Sequence, residues 1–185
     1  MDQKLLNDGR ARMAKVVESL KGDFAKIRTG RASPALLEDV QVEYYGSRMK
    51  LNQLATISIP ESRTLVISPW DKGAIAEIEK GVLKADLGLT PTNDGKLVLI
   101  SIPQPTEERR KDLVRQAKKM AEEGRVTIRN IRRETNEAAK GLQKKGECSE
   151  DDLRRGGQEI QKMTDQFIAQ IDQALSGKEK EIMEV

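Results

Sequence analysis

"TEERRKDLVRQAKKMAEEGRVTIRNIRRETNEAAKGL", residues 106–142, is the stretch on which the fold turns. Leu113, Ala117, Met120, Gly124, Thr127, Ile131, Thr135, Ala138 and Leu142 recur in it at threes and fours, the period of one helix face. Thr106, followed by Glu107 and Glu108, supplies an N-terminal cap and acidic groups where the helix dipole favours them. A seam this narrow suits packing against other helices.

Two more stretches carry the same pattern. Leu6, Met13, Val17, Leu20, Phe24 and Ile27 mark a first long helix, and Leu153, Ile160, Met163, Phe167, Ile171, Leu175 and Ile182 a third. Gly30 sits where a left-handed residue would end the first helix, with Pro34 after it. Ser149, with Glu150, Asp151 and Asp152 in the next turn, resembles a capping box at the head of the third.

Residues 32–105 differ in kind. "DVQVEYYG", "ATISIP", "RTLVISPW" and "KLVLISIP" are β-branched and partly alternating, as strands are, and "GAIAEIEKGVLKADLG" reads as a short amphipathic helix closed at Gly88. The first long helix would have no partner for its seam unless the chain returned after this insert. The expected fold is therefore α+β: a discontinuous three-helix bundle of residues 1–30 and 106–185, with a small α/β domain of residues 31–105 inserted. The two crossings fall side by side at one end of the bundle. Gly30, Arg31, Pro103, Gln104 and Pro105 form the expected hinge, since two linkers make relative domain motion the default.

Composition removes most enzyme chemistry. No histidine is present, so the usual general base and the commonest metal ligand are missing, and one cysteine, Cys148, can form neither an internal disulfide nor a thiolate zinc site. "NDGK" (93–96) lacks the first glycine of a phosphate-binding loop, Thr90 standing in its place. The acidic residues are scattered along amphipathic faces. No catalytic residue, metal or cofactor is expected. No apolar run reaches the length of a membrane span and no signal peptide is evident, so the expectation is a cytoplasmic protein without membrane contact.

Charge is unevenly spread. Residues 106–146 carry a net +6 and residues 147–185 a net −5, while residues 1–31 carry +4 and residues 32–105 carry −2. On the second helix, Lys111, Lys118, Arg125, Arg129, Arg132 and Lys140 fall in a band about 130° from the seam. Such a band is ordinarily a solvated face, here offsetting the acidic third helix. Two features favour a binding surface instead. Charges at 125, 129, 132 and 133 are all arginine, which suits phosphate recognition. Arg109, Arg110 and Lys111 stand in the first turns of the helix, where the dipole disfavours cations. With Arg28 and Arg31 near the crossings, a basic tip joins the stripe, fit for a polyanion. Tyr44 and Tyr45, adjacent on a strand, are expected to face opposite ways rather than form a stacking platform. That leaves backbone and shape recognition of folded RNA. The competing interpretation is a helical adaptor whose stripe binds an acidic protein or membrane surface.

"KIRTGRASPALL" (26–37), "VEYYG" (42–46), "SRTLVISPWD" (62–71), "DLGLTP" (86–91), "TEERRKDL" (106–113), "RNIRR" (129–133) and "SEDDLRR" (149–155) resemble the ribosome recycling factor family, in the family's order and across nearly the whole chain. The resemblance implies a three-helix bundle and a hinged α/β domain in an L shape. The apolar seams are used up within one bundle, so a monomer is expected. The resemblance also implies that, with elongation factor G and its GTP hydrolysis, the protein splits the post-termination ribosome and releases mRNA and tRNA. The bundle would contact large-subunit rRNA, and the smaller domain would receive the push. Carried over by motif, Arg28, Gly30 and Arg31 belong to the "TGRASP" tip, and Arg129, Arg132 and Arg133 to the rRNA-facing stretch. Arg109, Arg110 and Lys111 match "TEERRK", and Arg125 belongs to the stripe derived from charge. Pro105 stands where the family commonly has leucine, and Leu99 where it has arginine.

Overall fold

A computed structural model describes residues 3–184 of the chain, which divides into two compact units. One joins the chain up to Ile27 with Glu108–Glu184; the other is Arg28–Glu107. Four α-helices are present among the described residues: α1 (Gln3–Lys26), α2 (Ile75–Lys84), α3 (Glu107–Lys144) and α4 (Glu150–Met183). Six strands accompany them: β1 (Gln41–Tyr44), β2 (Ser47–Lys50), β3 (Ala55–Glu61), β4 (Thr64–Pro69), β5 (Pro91–Asn93) and β6 (Val98–Ser101).

In the helical unit, Leu6, Met13, Val17, Leu20, Phe24 and Ile27 are all buried, as their spacing predicts. On α3 the buried stripe is Leu113, Ala117, Ala121, Ile128, Ile131, Thr135 and Ala139, whereas Thr127 and Ala138, both expected in the seam, are exposed. At 100° per residue, Ala121, Ile128 and Ala139 lie about 60–80° to one side of Leu113, and Thr127 and Ala138 about 20–40° to the other. A helix with two neighbours needs a broader stripe than a two-helix seam, and α3 broadens it toward one side only. Thr127 instead donates its hydroxyl back to the Glu123 carbonyl, at 2.9 Å.

Ile160, Met163, Ile171, Leu175 and Ile182 bury one face of α4. The helix opens on a capping box: Ser149 Oγ accepts the Asp152 N–H at 3.1 Å, and the Asp152 carboxylate accepts the Ser149 N–H at 3.3 Å. Thr135 and Thr164 enter the core because each hydroxyl donates to the carbonyl four residues earlier, at 2.7 Å.

The second unit holds a β1–β2 hairpin and an antiparallel sheet in the order β3-β4-β6-β5. Register pairs Leu65 with Ile100 and Ile67 with Val98, so all four side chains share a face, and all are fully buried with Leu37, Val42, Leu51, Ile78 and Val82. Two strands escape the sequence pattern: β2 is mostly exposed and polar, and β5 has three residues. α2 ends at Lys84, and the chain first turns left-handed at Asp86, φ +48°, two residues before Gly88, which is left-handed as well at φ +68°. Gly30 is left-handed too, at φ +83°, but stands four residues beyond the end of α1 rather than at its cap.

The β1–β2 turn is Tyr45–Gly46, with φ of +48° and +79°, the sign of a two-residue primed hairpin turn. Asn, Asp or Gly ordinarily fills the first position; a tyrosine there is an outlier. Because Tyr45 lies in the turn and not in the strand, its ring meets that of Tyr44 edge-on, centroids 4.5 Å apart. The expectation that the two point apart is overturned.

Candidate nucleic-acid interface

The arginines of α3 separate into three kinds according to what each touches. Arg110 is buried, 9% exposed, and is thereby removed from the surface set predicted from the sequence. It lies about 60° from Leu113, inside the stripe that α3 buries. Its Nη1 donates to the Met183 carbonyl at 3.4 Å, at the C-terminal end of α4, where carbonyls favour a cation. Its Nε is buried without a hydrogen-bond partner among the described residues.

Arg125 is a strut. Its Nε and Nη2 donate to Asp172 Oδ1 at 2.9 and 2.6 Å, and Nη1 donates to Glu122 Oε2 at 2.9 Å. The bond to Asp172 raises the guanidinium pKa, and the bonds from Arg125 and then Arg129 hold the Glu122 carboxyl below the usual range. Lys118, 3.5 Å from Glu179, leans the same way. Along this edge the cations balance acidic α4, as an ordinary solvated face would.

Outward from that edge the balance weakens. Arg132 Nη1 donates to the neutral amide oxygen of Gln161 at 3.1 Å. Arg129 shares Glu122 through one bond of 3.2 Å, with its side chain 39% exposed. Arg133, one turn from Arg129, is exposed and makes no hydrogen bond or ion pair among the described residues. Arg115 lies at the same angle as Arg133, exposed and paired only with Asp112 at 3.2 Å; the same arithmetic would have found it, yet it was not among the expected contacts. Lys140 pairs with Glu137 at 2.9 Å. Exposed pairs of this kind contribute little and exchange readily for a phosphate.

Arg109 and Lys111 are exposed at the start of α3. Arg28, Gly30 and Arg31 belong to the second unit; Arg28 and Arg31 are exposed, and Arg28 Nη1 donates to the Leu87 carbonyl. Gly30 packs against Pro105, and Arg63 Nη1 donates to the Gln104 side chain at 2.9 Å. No helix among the described residues is long and apolar enough to cross a membrane.

Residues 20–183 match the family model described as ribosome recycling factor. The ribosome-recycling factors of Halalkalibacterium halodurans and Bacillus subtilis are 56% and 50% identical to the chain, each over the whole of both proteins. A solution structure of the ribosome recycling factor is similar with a TM-score of 0.79, at 42% identity over all of both chains. So is the T. thermophilus ribosome recycling factor in a structure with E. coli elongation factor G on the E. coli post-termination complex, with a TM-score of 0.66, at 50% identity over 98% of each chain.

Proposed function

The chain belongs to the ribosome recycling factor family, and from that premise we propose that its bundle docks on large-subunit rRNA through the outer edge of α3. The protein is a non-enzymatic translation factor acting on the post-termination ribosome with elongation factor G. Arg129, Arg132 and Arg133 supply the central phosphate contacts of the bundle, with Arg109 and Lys111 near the start of the same helix; Arg28 and Arg31 supply separate contacts on the other unit. Arg125 ties α3 to α4 instead, and Arg110 is buried. The hinge is Gly30, Arg31 and Pro103–Pro105, through which the smaller unit transmits a push from a GTPase carrying its own nucleotide site. The factor works as a monomer in the cytoplasm.

The observation that carries the docking surface is the pairing gradient across α3: saturated at Arg125, shared at Arg129, absent at Arg133. Arginines held outward without strong carboxylate partners are free to trade water for phosphate. The test is binding to purified ribosomes over a salt series. Each lost phosphate contact flattens the slope of log affinity against log salt by about 0.7–0.9. Arg129→Ala with Arg133→Ala should therefore flatten it by about 1.5, with an unchanged helical circular dichroism spectrum. A slope indifferent to both substitutions would return the stripe to solvated surface and favour the adaptor.

A further inference from the structure

The tip of the β1–β2 hairpin carries an aromatic that the docking of the bundle does not use. Tyr45 is 87% exposed, and the turn holds it at φ +48°, a conformation that tyrosine rarely adopts. Backbone strain of this kind, concentrated on an outward ring, is characteristic of sites where a side chain is presented to something. The ring is also braced. Tyr44 meets it edge-on at 4.5 Å, and the Tyr44 hydroxyl donates to the Asp71 carboxylate, which in turn accepts the Gly73 N–H at 2.9 Å. Trp70, beside Asp71 in the chain, is 69% exposed.

We propose that the Tyr45 ring is a docking platform for a cationic side chain, arginine or lysine, on a basic protein surface of the post-termination complex. Two observations point to a basic protein and away from RNA. Residues 32–105 carry a net negative charge, opposite in sign to the bundle. Asp71 holds the hydroxyl of Tyr44, the ring that braces the platform, and Glu43 is the residue before Tyr44, its side chain 58% exposed and 3.9 Å from Arg48. Such carboxylates repel phosphates and attract guanidinium or ammonium groups. A braced ring with few torsions loses little entropy when a partner's side chain settles on it.

The proposal rests on the ribosome-directed function above, and its test separates the two. A photoreactive benzophenone amino acid replaces Tyr45 in the full chain, or Leu83, also exposed, as a control. Each protein is irradiated on purified post-termination complexes with elongation factor G. The expected product at position 45 is a protein crosslink whose adduct maps beside arginine or lysine residues. Crosslinks to RNA, or no yield above the Leu83 control, overturn the proposal. In parallel, Tyr45→Phe should keep subunit splitting within about twofold of the parent, and Tyr45→Leu should slow it about three- to tenfold, the range of one cation–π contact. Equal rates for the two variants overturn the platform while ribosome binding by the bundle stands. Failure of the unaltered chain to bind ribosomes removes both.

Discussion

A Cβ placed on Gly30 would stand 2.4 Å from Cδ of Pro105, while Gly30 itself holds φ at +83°. Two independent costs therefore meet any side chain at position 30. Gly30→Ala should destabilise its unit by about 1–3 kcal/mol in urea unfolding. Adding Pro105→Ala should recover the steric share and leave the backbone share in place. A single variant as stable as the parent would show that the crossing can rearrange freely.

Arg110 predicts the reverse of what its charge suggests. Among the described residues its buried Nε has no partner and its one hydrogen bond is long. Arg110→Met keeps much of the volume and discards a buried charge, so stability should stay within about 1 kcal/mol of the parent or rise. Ribosome affinity should not change. A tenfold loss of affinity without unfolding would mean that the guanidinium reaches RNA after all.

Gly81 and Gly141 are both helical, yet replacing them should have opposite effects. A Cβ on Gly81 meets the Gln41 carbonyl oxygen at 2.8 Å and Val42 Cγ2 at 3.2 Å, whereas one on Gly141 meets nothing within 4 Å. Gly141→Ala should stabilise by about 0.5–1 kcal/mol through helix propensity alone. Gly81→Ala gains the same propensity but drives β1 off α2, and a net loss of about 1–2 kcal/mol is expected. Thermal melts of the two variants moving in the same direction would contradict this account of the α2–β1 contact.

The Tyr44–Asp71 pair sets two pH limits. Donation to Asp71 pushes the Tyr44 phenol up to about 12 from its ordinary 10.0, while the same bond, with the Gly73 N–H, lowers Asp71 below 3.8. A raised folded value means that the tyrosine's contribution is complete below pH 10 and fades as pH climbs through about 12. The aspartate's is complete above pH 3.8 and fades as pH falls through its depressed value. Ultraviolet titration should show one phenol ionising late, and Asp71→Asn should bring it back toward 10. A late phenol that ignores the substitution would place the cause elsewhere.

The long helices were legible because burial on them follows a period that type and spacing both announce, as Met13, Val17, Leu20 and Phe24 do. Arg110 was not, although it lies three residues before Leu113 on the buried face. Charge assigned it to the surface, and the carbonyl that receives it belongs to α4, 73 residues away. Tyr45 failed for a different reason. A run of Val, Glu and Tyr reads as continuous strand, and only the turn's handedness, invisible in residue type when a tyrosine adopts it, swings the ring beside Tyr44. Of the candidate site, the arginines could be counted from sequence, but not sorted: which ones α4 neutralises depends on where Asp172 and Gln161 stand across the groove.

α3 runs 38 residues without a proline. That is about 57 Å of unbroken rod, and Arg129 stands about 33 Å from its start. Held at Arg129 as at a fulcrum, the rod needs a tilt of only about 10° to carry its first turn through about 6 Å. The strut from Arg125 to Asp172, one turn from that fulcrum, ties α4 into the same beam. Leverage of this kind lets a modest torque at one end become a displacement the width of a side chain, without any of the arginines proposed as anchors having to let go.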